Sequence, residues 1–110
     1  MSIPAPKDTP ITVSELAKHN GTDPALPIYV AIKGDVFDVS SKADVYGKGC
    51  GYNVFTGKDA SKALGKSSLK IEDCVPDTTE LTAEEQQTLD KWHKFFSDRY
   101  PIVGKVVPDN

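Results

Sequence analysis

The sequence predicts an α+β fold. Its strand-like runs are short and are interrupted by short helical segments, which suits neither a parallel-sheet pattern nor an all-helix bundle. One long helix with a clear start signal stands near the C-terminus. Between Ser40 and Gly65, four glycines (Gly47, Gly49, Gly51, Gly57) fall in a short aromatic-bearing stretch that no regular helix would accommodate. At 110 residues the chain has the size of one domain, with no room for a second independent core.

Residues 1–10 hold Pro4, Pro6 and Pro10 and little that can pack, so they are expected to form a flexible or extended lead-in. Ile11, Thr12 and Val13 make a short strand that feeds a helix capped by Ser14. Leu16 and Ala17 lie on the buried side of that helix, and His19-Asn20-Gly21 stops it. After Pro24 and Pro27, the β-branched and aromatic run Ile28–Ile32 and the alternating run Val36–Val39 flank a Gly34-centred turn, the pattern of a hairpin. The glycine-rich loop closes into a short helix at Asp59–Leu64 that Gly65 ends. Residues from Ile71 to Glu80 are acidic and irregular. Thr82 with Glu85 three residues on forms a capping box and opens a helix to about Asp98, with Leu89, Trp92, Phe95 and Phe96 as its buried stripe. Pro101 breaks it, and Ile102-Val103 with Val106-Val107 supply a last strand. The domain is therefore placed at 11–107, with 108–110 as a tail.

Composition narrows the function. Hydrophobic residues make up 38% and charged residues 26%, a globular balance that confines disorder to the ends. A net charge of -3 gives no electrostatic reason to bind phosphate backbones or anionic lipid, so nucleic acid is excluded as a partner. Cys50 and Cys74 stand in unrelated contexts and read as free thiols in a reducing compartment, which points to a cytoplasmic address. No apolar run is long enough for a membrane span, and a soluble protein is expected. No nucleophile–base pair or metal-ligand cluster supports hydrolysis, so no enzymatic activity is expected.

The segment from Asp44 to Ser61 places Tyr46 and Tyr52 on a glycine-rich loop beside a helix start. On the residues alone two readings stand: tyrosines that cover a core edge with their hydroxyls in water, or phenols offered to a ligand. The run Tyr46-Gly47, Gly51-Tyr52, Phe55, Gly57, Asp59-Ala60-Ser61 closely resembles the haem-binding loop of the membrane-associated progesterone receptor family, a group of cytochrome b5-like haem and steroid-binding domains. The segments Tyr29–Gly34 and Phe37–Ser40 resemble the hairpin of the wider cytochrome b5-like fold. Trp92, Phe95-Phe96 and Arg99–Lys105 resemble the family's closing helix and strand, so the resemblance covers almost everything from Ile11 to Val107.

That resemblance implies a small mixed sheet with short helices flanking a ligand cleft, and haem b in the ferric state as cofactor. It implies Tyr52 as the iron ligand and Tyr46 as a supporting tyrosine. Arg99 and Tyr100 match a basic-aromatic pair that hydrogen-bonds the haem or its propionates; Arg99 stands where the family usually has lysine, which keeps the charge and offers a planar fork to a carboxylate. Asp59 matches a residue that caps the following helix. Prolines common in the family near Lys48 and Cys50 are missing here, and Cys50 occupies a position that does not face the iron. A membrane helix often precedes the domain in the family, and no such run is present in this sequence.

A phenol has a pKa of about 10, so ligation at neutral pH requires the ferric ion and nearby donors to stabilise the phenolate. His19 ends the first helix and His93 follows Trp92 on the long one. Neither stands in the loop, which disfavours a bis-histidine electron carrier. The implied function is a non-enzymatic haem protein that supplies haem to, or regulates, haem-thiolate monooxygenases of sterol metabolism, at the endoplasmic reticulum surface through such a partner. An open haem face further implies a haem-dependent homodimer. The alternatives are a carrier that binds a sterol or other lipid in the same groove without iron, and an interaction module without a cofactor.

Overall fold

A computed structural model describes residues 5–109. In chain order its elements are β1 (Pro10–Thr12), α1 (Val13–Ala17), β2 (Tyr29–Ile32), β3 (Asp35–Asp38), α2 (Ala43–Tyr46), α3 (Ser61–Gly65), α4 (Ala83–Arg99) and β4 (Ile102–Val107). The strands form one mixed sheet in the order β1-β4-β3-β2, with β1 parallel to β4 and the other pairs antiparallel. This is the α+β class expected from the sequence.

The β2–β3 hairpin closes through Lys33 and Gly34, both at positive φ (54° and 83°), the conformation whose twist matches a tight two-residue turn. Side chains alternate across the sheet. Val30, Ile32 and Phe37 join the larger core with Leu64, Leu89 and Phe96, while Ala31 and Val36 face Ile11 and Leu16 on the other side.

Helix α1 differs from the sequence reading in two details. Helix α1 is capped by Thr12, whose Oγ1 accepts the Glu15 amide at 3.1 Å, because the strand runs into the helix with no spacer and the strand's last residue takes the cap position. Ser14 instead donates its amide to Asp109 at 2.8 Å, and its hydroxyl bonds the same carboxylate. Of this helix only Leu16 is buried; Ala17 faces out.

The capping box of α4 forms in both directions, Glu85 N to Thr82 Oγ1 at 3.1 Å and Thr82 N to Glu85 Oε1 at 2.9 Å. Leu89 and Phe96 are buried and Trp92 is half-buried, an i, i+3, i+7 stripe. Phe95 falls outside that arc and stays exposed, with the Arg99 guanidinium 4.2 Å above its ring. The one-turn helix α2, absent from the sequence reading, has too few residues to show a period.

Of the lead-in expected over 1–10, residues 1–4 lie outside the described residues, as does residue 110 of the tail. From Lys7 onward the segment lies along β4, with Lys7 N donating to Ile102 O at 3.0 Å and Lys105 N to Thr9 O at 2.9 Å. Glycine at position 104 permits that approach: a Cβ there would stand 2.4 Å from Thr9 O and 2.6 Å from Ile11 Cδ1. Helix α4 is tied to the sheet through Asp35, which accepts His93 Nε2 at 2.7 Å and pairs with Lys105.

Gly104→Ala is expected to lower stability by about 1–3 kcal/mol. It should also speed exchange of the Lys105 amide, read by thermal unfolding and by amide exchange. For Asp35, burial pushes the carboxyl pKa up, but hydrogen bonds from Lys105 and His93 outweigh it and hold the group below its ordinary 3.8. Its folded value is thus depressed, so its contribution is complete above the unfolded value and is lost as pH falls through the folded one. The stability gap between wild type and Asp35→Asn should be about 1 kcal/mol near pH 6 and close as pH falls through the lowered folded pKa, measured by denaturant titration.

Candidate ligand cleft

The loop that carries Tyr46 and Tyr52 is pinned at three places. Its start is helix α2, where the Gly47 amide closes on Ala43 O at 2.8 Å; a Cβ at residue 47 would lie 2.5 Å from the same oxygen. Its middle is a 3₁₀ turn at Asn53–Phe55. Asn53 Nδ2 donates there to Tyr46 O and Asn20 O, each at 2.9 Å, and approaches Thr56 Oγ1 at 3.2 Å. The fully buried Thr56 adds a hydroxyl bond to Asn53 O at 2.7 Å. Its end lies along the free edge of β2, through Gly57 N to Tyr29 O at 2.8 Å, Ala31 N to Lys58 O at 3.1 Å and Ala60 N to Ala31 O at 3.0 Å.

Asp59 is nearly buried. Its carboxylate accepts the Ser61 amide at 2.9 Å at the entry to α3 and the Gly34 amide at 3.0 Å, so it joins the hairpin turn to this helix. It is not part of the cleft lining described below.

Loop, α3 and α4 enclose a cleft of about 210 Å³. Tyr46, Tyr52 and Phe55 of the loop form one wall, and Ala63 and Leu64 of α3 with Trp92 and Phe96 of α4 form the others. Ser67, Ser68 and Leu69 close the rim. Tyr46 meets Phe96 at 6.1 Å and Tyr100 at 6.3 Å edge to face, while Tyr52 lies tilted against Tyr46 at 6.0 Å and Phe55 at 5.7 Å.

The two loop tyrosines differ in environment. Tyr46 is 5% exposed; burial first, then the neighbouring Tyr100 hydroxyl, pushes its pKa far above the usual phenol value. Tyr100 is equally buried, and burial raises its phenol too, against a hydrogen bond with Tyr46 that pulls it down. Both therefore hold their protons at any physiological pH. Tyr52 is 43% exposed and stands at the mouth.

The four residues singled out from the sequence are thus divided. Tyr46 and Tyr52 line the cleft, Tyr100 backs Tyr46, and Arg99 stacks on Phe95 at the surface without lining it. Ser67, Ser68 and Leu69 were not foreseen. They sit in a linker with neither helical nor strand period, and only the folded chain brings them to the rim.

Among the described residues neither histidine lines the cleft. His19 is buried beside Pro27 O and Glu15, at 2.8 and 3.0 Å, and His93 is engaged by Asp35. Both cysteines are free; Cys50 Sγ contacts Ala43 O at 3.6 Å and is not part of the lining. No group of three or more histidine, cysteine or acidic side chains is placed to hold a bare metal ion among the described residues. What the cleft offers is one accessible phenol oxygen over apolar, mostly aromatic walls. That donor set fits a flat apolar group carrying a hard cationic centre, such as ferric haem.

The family model described as "Cytochrome b5-like Heme/Steroid binding domain" matches residues 12–107. Probable steroid-binding protein 3 of Arabidopsis thaliana is 51% identical over 96 residues, which span 87% of this chain and 96% of that protein. Membrane steroid-binding protein 2 of Oryza sativa subsp. japonica is 42% identical over 96 residues, but the match spans only 36% of its length. Cytochrome P450 regulator dap1 of Schizosaccharomyces pombe is 36% identical over 104 residues and is matched over 61% of its length. A solved Arabidopsis thaliana structure reported to have a cytochrome b5 like fold superimposes with a TM-score of 0.82 at 50% identity, over 89% of this chain and 90% of that one.

Asn53→Ala removes the Nδ2 donor from Tyr46 O and Asn20 O, of which Asn20 O keeps the Thr56 hydroxyl at 3.1 Å. It is expected to cost about 1–3 kcal/mol. The Tyr52 amide, which bonds Val45 O at 3.1 Å, should exchange faster in the variant while the Lys105 amide is unaffected. Equal acceleration at both would mean that the side chain holds the whole domain rather than this loop.

Proposed function

The chain belongs to the family of cytochrome b5-like heme/steroid binding domains, and from that premise we propose that it is a non-enzymatic haem-binding protein in which Tyr52 is the axial ligand to ferric iron. The observation that carries this reading is the pairing of an exposed phenol with an apolar aromatic cleft that, among the described residues, no histidine lines. The binding unit spans residues 11–107.

Each residue has a part that its environment supports. Tyr52 presents its oxygen at the mouth, where water and the incoming group both reach it. Tyr46 and Tyr100, kept protonated by burial, form a neutral hydroxyl pair behind it that holds a proton and can donate it to a nearby oxygen. Phe55, Leu64, Trp92 and Phe96 exclude water from the plane of the ligand and contribute stacking contact. Ferric haem bound here would be held by the Tyr52 oxygen and would supply an iron centre for ligand or haem exchange. An anionic oxygen donor favours the higher iron charge, which suits a haem carrier or sensor better than a fast electron carrier.

The relative named as a P450 regulator supports a role in supplying haem to, or regulating, haem-thiolate monooxygenases of sterol metabolism. Such a partner would bring the domain to the endoplasmic reticulum surface from a cytoplasmic address. Among the described residues, no helix is long and apolar enough to cross a membrane. The half-exposed mouth also supports pairing with a second copy of the chain when haem is bound.

Titration of the purified protein with hemin is expected to give a saturable Soret band, and Tyr52→Phe should weaken binding at least tenfold, about 1.4 kcal/mol or more, and shift the band. Sedimentation should show dimer only with hemin present. A protein that binds progesterone in this cleft, and takes up no hemin, would favour the sterol-carrier alternative instead.

A further inference from the structure

Resting on the haem reading, we propose that Leu69 is a ligand-contact residue, held at the mouth of the cleft to cover the part of the ring that the cleft does not enclose. A cleft of about 210 Å³ falls below the roughly 300–1,000 Å³ of pockets that bury a drug-sized ligand, and a porphyrin is at least as large as such a ligand. The part of the ring left outside needs apolar cover.

Leu69 offers that cover. Among the described residues, Val13, Tyr52, Leu69, Ile71 and Phe95 keep large apolar or aromatic side chains exposed, and of these Tyr52 and Leu69 alone line the cleft. Tyr52 has its task as the oxygen donor. Leu69 is 58% exposed, so more than half of its surface is left for a ligand to bury.

Two local devices hold it there. Helix α3 ends in a Schellman turn: Ser67 takes a left-handed φ of 54°, its amide bonds Leu64 O at 3.2 Å, and the Ser68 amide bonds Ala63 O at 2.8 Å. The chain reverses at this cap, two residues before Leu69. Beyond it, Ser68 Oγ donates to Asp73 Oδ2 at 2.7 Å and accepts the Lys70 amide at 3.1 Å, while the Asp73 amide bonds Lys70 O at 3.1 Å. The Ser68 hydroxyl is also the first cause that holds the Asp73 carboxyl below its ordinary 3.8, so the acceptor is ionised at neutral pH. Leu69 thus stands in a closed turn between a capped helix and a tethered carboxylate, and little ordering is left to be done when a ligand arrives. Asp73 does not line the cleft and acts through Leu69, as a positioning residue.

The test is absorbance titration with hemin of wild type, Leu69→Ala, Ile71→Ala, Asp73→Ala, Asp73→Asn and the double variant Leu69→Ala/Asp73→Ala. Leu69→Ala is expected to weaken hemin binding about fivefold, since it removes apolar contact. It should leave the Soret position unchanged, because no iron ligand is lost, and thermal unfolding unchanged, because the side chain is exposed. Ile71→Ala, similarly exposed but outside the lining, should bind as wild type does. Asp73→Ala should weaken binding about two- to threefold, and Asp73→Asn, which keeps an acceptor for Ser68, should restore it. The loss from Asp73→Ala should vanish in the Leu69→Ala background. Unchanged affinity in Leu69→Ala, or an equal loss in Ile71→Ala, overturns the contact. A loss from Asp73→Ala that persists without Leu69, or that Asp73→Asn shares, overturns the positioning role. A wild-type protein that gives no Soret band with hemin overturns the haem reading itself, so the two failures are told apart by whether the band forms at all.

Discussion

The sheet edge at β2 has to be paired, and the residues that pair it are the last of the loop carrying the tyrosines. The carbonyl of Tyr29 and the amide and carbonyl of Ala31 would otherwise lie unpaired at the rim of the sheet, which costs stability and invites association with other chains. Residues 57–60 satisfy them, and in doing so they fix where the loop returns. Every position upstream inherits that constraint: the 3₁₀ turn, the Asn53 contacts to Tyr46 and Asn20, and finally the direction in which Tyr52 leaves the backbone. The site is therefore built from an edge-covering device and needs no element of its own.

Burial divides the labour among the aromatic side chains. Phe37 and Phe96 are sealed in the core, with their rings 5.5 Å apart, and Tyr46 continues the same stack with one polar atom that Tyr100 answers. Moving outward, Phe55 remains buried while Trp92 is half-exposed and Tyr52 more so. Such a gradient gives a dry base and a wet rim within one short wall.

Much of this was readable from residue order. The capping box at Thr82 and Glu85 and the Gly34 turn are local signals whose chemistry sits within a few residues, and both form as expected. The glycine spacing and the two tyrosines located the loop. What could not be read depends on contacts between distant segments. Ser14 resembles a cap, yet Thr12 takes the position because the preceding strand sets the helix entry. Phe95 resembles a core residue, yet it falls outside the arc of Leu89, Trp92 and Phe96 and stays exposed. The rim at Ser67–Leu69 has no pattern at all, and its place follows from α3 packing on α4. Arg99 illustrates the same limit: its type suited an acidic ligand, and only the fold reveals that an aromatic neighbour holds it.

The strand order carries a consequence for how the molecule is made. β4, last of the described strands in chain order, is placed between β1 and β3, so the sheet stays split until that strand has been made. Until then β3 offers an uncovered hydrogen-bonding edge, and the first strand has nothing to pair with. Contacts between such remote parts form slowly, since a long loop must close before any of them gains. A chain halted before Ile102 would leave the ribosome with its hairpin exposed, so chaperone dependence and losses to misassembly should concentrate in that interval of translation.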